Sequence, residues 1–138
     1  GHRQLLPSGW PRPKGYSNGV IAHGPTIFVG GQIGWDVEGR FASGLVEQIE
    51  QALRNVVAVL AEGGAAPRDV VRLTWYVVDV EAYAASQREI GRVYREVIGQ
   101  VYPPMTLVQV VRLVEAKALV EIEATAVLAH LPAGACST

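Results

Sequence analysis

The spacing of apolar residues alternates between the two-residue period of strands and the three-to-four-residue period of helices. Short β-branched or aromatic runs predict strands at residues 16–22, 26–29, 70–78, 105–111 and 119–128. Apolar stripes predict two helices between these strands, one over residues 43–62 and one over residues 81–98. The predicted order of elements is therefore β-β-α-β-α-β-β.

Residues at the ends of the predicted helices indicate where each helix should begin or stop. Ser43 is the expected N-cap of the first helix and Asp79 that of the second, because their side chains can accept from free backbone N–H groups. Gly63 and Gly64 follow the first helix, as glycines commonly do at helix C-termini.

The chain divides into three parts by composition. Residues 1–15 contain three prolines and three glycines and should form an irregular lead-in. Residues 16–130 should form one domain, in which the first two strands make a hairpin through the turn at residues 23–25. Residues 131–138 form a short C-terminal tail rich in small residues.

The order of elements predicts an α+β architecture. Each helix links two long strands, which favours parallel strand pairs with right-handed crossovers and places both helices on one face of a single sheet. The last strand alternates between the apolar set at 120, 122 and 124 and the set Glu121, Glu123 and Thr125. The second set should lie on the face that the helices leave uncovered.

Composition suggests what covers that face. Hydrophobic residues make up 49% of the 138 residues and charged residues only 18%, below the roughly 25% that is usual in soluble domains. A chain with so few charges would expose much apolar surface as a monomer, so we expect a homo-oligomer.

Other classes of protein are disfavoured by charge and by residue type. The net charge is −1 and the arginines are dispersed, so no basic patch for nucleic acid is expected. The sequence contains no run of about 18 apolar residues, so no membrane span is predicted. Three scattered histidines and the single cysteine, Cys136, give no metal-ligand spacing, so we expect neither metal nor cofactor, and a cytoplasmic location.

Three segments carry a recognisable signature: residues 30–33 (Gly-Gly-Gln-Ile), 102–108 (Tyr-Pro-Pro-Met-Thr-Leu-Val) and 120–124 (Val-Glu-Ile-Glu-Ala). Paired glycines in a strand indicate a bulge or a place where another group approaches the backbone closely. Over residues 16–128 the chain resembles the Rid family, also called YjgF-like or endoribonuclease L-PSP-like. The resemblance implies a chorismate-mutase-like fold and a homotrimer with a central barrel and three clefts between subunits.

The resemblance also implies a site for hydrolysing short-lived imines or enamines. In the family, a tyrosine matching Tyr16 lines the cleft, and backbone matching Gly31 and Gln32 meets the substrate. A glutamate matching Glu121 orients the attacking water. An arginine at the position of Met105 holds the substrate carboxylate in the deaminating members.

Met105 is the main departure from that pattern. A thioether cannot replace a guanidinium–carboxylate contact worth roughly 1.5–3 kcal/mol, so amino-acid imines such as 2-aminoacrylate should be poor substrates. Gly30 and Gly91 stand where the family commonly has serine and asparagine. These losses predict an apolar cleft whose ligand is less charged or more aromatic. Arg72, on the neighbouring strand, is a weaker candidate for a replacement cation.

Each candidate residue also has a structural interpretation. Glu121 could be a solvated or interfacial carboxylate, and Met105 could be ordinary strand filler. Tyr16 could cap the barrel instead of contacting a ligand. Trp35 could cover the cleft or clasp the body of its own subunit. For Glu123, which lies on the same face as Glu121, a structural role is favoured.

Two functional hypotheses remain from different classes. In the first, the chain is a trimeric hydrolase or deaminase that acts on a neutral or aromatic imine or enamine. In the second, it is a catalytically inactive trimer that binds a small molecule. Ribonuclease activity would follow from one family name only, and the charge balance disfavours it.

Overall fold

The fold is a four-stranded mixed sheet with helices on one side and a separate two-stranded ribbon. It comes from a computed structural model that describes residues 2–129. The elements in chain order are β1 (Arg3–Leu5), β2 (Gly19–Ile21), β3 (Thr26–Ile33), α1 (Leu45–Glu62), β4 (Val70–Val77), α2 (Val80–Ala85), α3 (Gln87–Val97), β5 (Met105–Gln109) and β6 (Val120–Val127). The predicted tail and Cys136 lie outside the described residues.

The main sheet has the strand order β3-β6-β4-β5. Strand β6 is antiparallel to both of its neighbours, while β4 and β5 are parallel. Because β3 and β4 both run opposite to β6, they share one direction, although β6 lies between them. The α+β architecture and the parallel direction of the helix-linked strands are thus confirmed.

One hydrophobic core lies between the sheet and the helices. The predicted apolar stripe of α1 is buried against the sheet, and α3 buries Ile90, Val93 and Tyr94 in the same cluster. On β4, Leu73 and Trp75 face this core with at most 2% of their surface exposed. Burying side chains of this size stabilises the fold by roughly 1.5–3 kcal/mol each.

The helix boundaries confirm two of the three predicted end signals. Asp79 Oδ1 accepts from the backbone N–H groups of Glu81 and Ala82 at 3.0 and 3.1 Å, as expected of an N-cap. Gly63 ends α1. The prediction for Ser43 is wrong: Gly44 is the N-cap, because its φ of 97° turns the chain in a way that glycine adopts readily.

The second predicted helix is divided in two. Ser86 has φ −112° and ψ 15°, outside the helical region, and it separates α2 from α3. The break lets Tyr83 of α2 and Tyr94 of α3 both face Trp75, at ring-centroid distances of 6.4 Å.

The predicted hairpin of the first two strands does not form. Strand β2 pairs instead with β1, which lies in the segment predicted to be irregular. The physical reason is a long-range contact: Ser17 N–H donates to Pro103 O at 3.3 Å, and Ser17 Oγ donates to Tyr102 O at 2.9 Å. These bonds draw β2 towards the start of β5, away from β3, and the four-stranded sheet forms without it.

The second face of the main sheet is open in the single chain. Phe28 on this face is 79% exposed, and a groove of about 540 Å³ runs beside it. We call it the open-face groove; its walls include Gly30, Arg72, Thr74, Thr106 and Glu123.

Candidate functional site

The paired glycines form a bulge that brings Glu121 against the backbone of β3. The register between β3 and β6 shifts between Val29 and Gln32, so Gly30 and Gly31 occupy one extra position. A Cβ placed on Gly31 would lie 2.0 Å from Glu121 Oε2. The predicted bulge and the predicted close approach at Gly31 are therefore both confirmed, and the group that approaches is the Glu121 carboxylate.

The chain after the bulge is held by α1. Gln32 Nε2 donates to Gly30 O at 3.1 Å, so this side chain turns back along its own strand. Asn55 Nδ2 donates to Ile33 O at 3.0 Å and to Trp35 O at 2.9 Å. These bonds fix the position of β3 relative to α1.

Trp35 packs on its own subunit. Its ring centroid lies 5.5 Å from that of Phe41, with which it also forms a β-bridge. This contact is the one that the clasp interpretation requires. Its ring remains 36% exposed, so a role in covering a ligand stays a prediction.

The second carboxylate of β6 is engaged within the chain. Tyr76 Oη donates to Glu123 Oε1 at 2.6 Å, and this hydrogen bond raises the pKa of Tyr76, with burial and the charges of Glu123 and Glu121 acting in the same direction. The Glu121 carboxylate accepts no hydrogen bond from the residues that the structure describes. The two acids therefore differ: Glu123 has a structural partner, and Glu121 is available to a water or a ligand.

Met105 lies on the other face of the sheet, in the wall of a second cavity. Its strand partner is Leu73, so its side chain points towards the helices, where it packs on the core. The cavity has a volume of about 240 Å³. We call it the aromatic cavity; its lining includes Trp75, Tyr83, Gly91, Tyr94, Tyr102 and Met105.

Stacked rings form one wall of this cavity. The rings of Tyr94 and Tyr102 are 5.8 Å apart at an interplanar angle of 15°, and Trp75 continues the stack beyond Tyr94. Burial, together with the neighbouring Tyr102, raises the pKa of Tyr94, whose hydroxyl donates to Val101 O. The buried Nε1–H of Trp75 finds no acceptor within residues 2–129. The predicted apolar, aromatic surroundings of Met105 are thus present.

The prediction of an apolar cleft holds only in part, because a cation borders this cavity. The side chain of Arg95 lines it, and a Cβ on Gly91 would lie 3.3 Å from the Arg95 Nη1 atom. Arg72, the weaker candidate proposed from the sequence, lines the open-face groove instead, because it is adjacent to Leu73 in β4 and so points to the opposite face.

The predicted site residues fall into two groups within one chain. Gly31 and Gln32 lie on the edge strand β3, and Glu121 lies beside them on the adjacent strand β6. Tyr16 lies with Met105 at the β5 edge, because the hydrogen bonds of Ser17 hold its segment beside Tyr102. Strands β3 and β5 are three strand spacings apart, about 14 Å. A single chain therefore does not bring all six predicted residues, including Trp35, together.

Sequence reasoning missed Arg95. Arg95 follows Gly91 by four residues, which places the two on one face of a helix. That spacing was the available signal, but its meaning depends on the cavity that α3 covers.

Neither a metal site nor a membrane-spanning helix is present among residues 2–129. No group of three or more histidine, cysteine, aspartate or glutamate residues there could hold a metal ion. None of the helices in this range has the length and apolarity that crossing a membrane requires.

Comparison with known sequences identifies relatives over most of the chain. Residues 11–128 match the family described as endoribonuclease L-PSP. A RutC family protein of Pyrococcus abyssi is 37% identical over 118 residues, which are 84% of this chain and 89% of that protein. The 2-iminobutanoate/2-iminopropanoate deaminase of Capra hircus is 32% identical over 114 residues, covering 81% of this chain and 79% of the deaminase.

Comparison with solved structures gives the same assignment. A protein of unknown function from the conserved Rid protein family of Yersinia pestis matches with a TM-score of 0.81 at 33% identity. The match covers 92% of this chain and 98% of that protein. Since sequence family, relatives and fold agree across the main sheet and its helices, the chain belongs to the endoribonuclease L-PSP family, the Rid family that its motifs resemble.

Proposed function

We propose that the chain hydrolyses a small imine or enamine in a cleft between two copies, assembled as a homotrimer. The observation that carries the proposal is the Glu121 carboxylate, which lies against Gly31 and accepts no hydrogen bond from the described residues. A relative named as a 2-iminobutanoate/2-iminopropanoate deaminase supports imine chemistry.

Hydrolysis of an imine requires a positioned water molecule and a group that transfers protons. A water held by Glu121 attacks the imine carbon, and the carboxylate accepts a proton from that water. That proton passes to the nitrogen and gives a carbinolamine. The hydroxyl proton of the carbinolamine then moves to the amine, the C–N bond breaks, and the products are a carbonyl compound and ammonia. Backbone groups at Gly31 and Gln32 would hold the substrate while this occurs, and positioning of this kind can supply much of the rate enhancement.

The split between the two groups of residues supports a shared cleft. Gly31 lies on the edge strand β3 and Glu121 on the adjacent strand β6. Tyr16 and Met105 lie at the β5 edge, roughly 10–14 Å away by strand spacing. A second copy that places its β5 edge beside the β3 edge of the first would unite them. The open sheet face, with Phe28 79% exposed, would be buried in the same assembly.

Met105 and the stacked tyrosines restrict the type of substrate that the cleft can accept. They form an apolar wall, so an imine with an apolar or aromatic body fits the cleft better than a small polar one. We expect slow turnover of 2-aminoacrylate, because position 105 offers no cation for its carboxylate.

Three further expectations from the sequence remain predictions. They are a cytoplasmic location, the absence of a nucleic-acid partner and the domain limits at residues 16 and 130.

The test is ammonia release from a panel of imines generated in situ from aromatic and aliphatic amines or amino acids. Glu121→Ala should lower turnover by roughly 10²–10⁴-fold, the usual contribution of general acid–base catalysis. Glu123→Ala is the matched control, on the same strand and the same face. It removes a structural hydrogen bond from Tyr76, so turnover should stay within a few-fold of the wild type.

The alternative, an inactive small-molecule-binding trimer, predicts another outcome. No imine of the panel would be hydrolysed, a ligand would raise the melting temperature, and Glu121→Ala would change only the affinity. That result would contradict the proposed hydrolysis.

A further inference from the structure

Arg95 reaches the aromatic cavity because Gly91 leaves room for it. Helical side chains lean towards the N-terminus, so the side chain at one position covers the residue four positions earlier. The residue there is Gly91, and a Cβ on it would stand 3.3 Å from the Arg95 Nη1 atom. The guanidinium therefore lies along the helix surface at the place where a side chain at 91 would otherwise project.

The charge of Arg95 is not neutralised along its own helix. The positions three and four residues away are Gly91, Arg92, Ile98 and Gly99, none of which is acidic. Arg92, by contrast, pairs with Glu96 at 3.1 Å on the same helix. Within residues 2–129, Arg95 has no carboxylate within 4.0 Å and donates no side-chain hydrogen bond.

The cavity beside this cation suits a small ring. Its volume is about 240 Å³, below the roughly 300–1,000 Å³ of sites for drug-sized ligands. The stacked Tyr94 and Tyr102 and the thioether of Met105 offer aromatic and apolar contacts.

We propose that Arg95 binds the acid group of a ligand whose single aromatic or apolar body fills the aromatic cavity. A guanidinium recognises a carboxylate by two parallel N–H···O bonds, and the rings supply the remaining contact area. The substrate class would then be imines that carry a carboxylate on a bulky body, held from α3 and not from strand position 105. This inference rests on the proposed function only in taking the aromatic cavity as part of the cleft.

The test compares two probes of nearly equal shape, phenylacetate and phenylacetamide, titrated calorimetrically into the full-length protein. The wild type should bind the acid about tenfold more tightly than the amide, because an ionised acceptor strengthens the contact. Arg95→Gln should remove that preference, and Arg95→Lys should keep part of it.

Arg92→Gln is the matched control, since it removes a positive charge from the same helix without touching the cavity lining. It should leave the preference for phenylacetate within about twofold. The proposal is overturned if Arg95→Gln binds phenylacetate as tightly as the wild type does. Failure of the wild-type protein to bind phenylacetate at millimolar concentration would overturn it too.

Measurements of phenylacetate binding and of imine hydrolysis distinguish this inference from the proposed function. Phenylacetate binding and ammonia release are therefore measured separately on the wild type and on Arg95→Gln. Binding that depends on Arg95, without hydrolysis of any imine, would support the acid site and reject the proposed hydrolysis. Hydrolysis together with binding that ignores Arg95 would support the enzyme and reject the acid site.

Discussion

At the scale of single residues, the candidate site depends on a missing side chain. Gly31 does not adopt a positive φ, so its backbone conformation would permit other residues. What it requires is space, because the Glu121 carboxylate occupies the position that a Cβ would take. The role of this glycine is therefore to admit a functional group and not to make a turn.

Gly31→Ala tests this interpretation. The new methyl group must displace the carboxylate, and a misplacement of about 1 Å can cost roughly a hundredfold in turnover. The displaced group is the far end of a flexible side chain, so the free energy of unfolding should fall by about 1 kcal/mol or less. Ammonia release and urea unfolding, measured on the same preparation, check both expectations.

Gly30→Ala is the control for that variant. It is the neighbouring glycine of the same bulge, and a Cβ there would meet nothing within 4 Å among the described residues. Turnover should be nearly unchanged. Equal losses in the two variants would mean that the bulge itself, and not the Glu121 contact, is what matters.

At the scale of elements, α1 positions the site through a buried amide. Gln48 is 3% exposed. Its Nε2 donates to Ala42 O and Lys117 O at 3.2 and 3.1 Å, and its Oε1 accepts from Leu119 N–H at 2.8 Å. One side chain thus ties the loop after β3 and the loop before β6 to the same helix. These are the loops that flank Gly31 and Glu121.

Gln48→Leu should destabilise the protein more than a surface change would. Leucine fills a similar volume but leaves three backbone groups without partners, which costs about 2–3 kcal/mol in the free energy of unfolding. Gln51→Leu, on the same helix, loses one bond to Asn55 and should cost less than about 1 kcal/mol. Urea unfolding at one fixed chain concentration makes the comparison, and equal costs would contradict the role assigned to Gln48.

At the scale of the whole molecule, the helices cover only one face of the main sheet. Phe28 is the largest apolar side chain exposed on the other face, and the open-face groove runs beside it. The candidate residues are divided between strands β3 and β6 on one side of this sheet and the β5 edge on the other. Assembly through the open face would bury that surface and bring the opposite edges of two copies together.

Phe28→Lys should therefore dissociate the proposed trimer, because it places a charge in the buried interface. Val59→Lys is the control: Val59 is 39% exposed on α1, in the helix layer on the opposite side of the sheet. Sedimentation analysis should find trimers for the wild type and Val59→Lys, and smaller species for Phe28→Lys. A wild type that sediments as a monomer would contradict the shared cleft.

The predictions that held came from short-range signals. The alternation of β6, the apolar stripe of α1, the Asp79 cap and the Gly30-Gly31 bulge each depend on residues a few positions apart. Interactions at that range are governed by backbone geometry and side-chain spacing, which a single sequence displays directly. The hairpin failed because Ser17 bonds to residues 102 and 103, more than eighty positions away.

The sequence by itself determined most of the elements, the α+β class and the family signature around Gly31, Met105 and Glu121. Only the tertiary structure decided that Glu121 lies against Gly31 and that Arg95 lines the aromatic cavity. It also decided that β3 and β6 hold one group of candidate residues and the β5 edge the other. The physical reason is that strand order and helix docking follow from the packing of the whole core. Contacts between distant segments exist only once that core has formed.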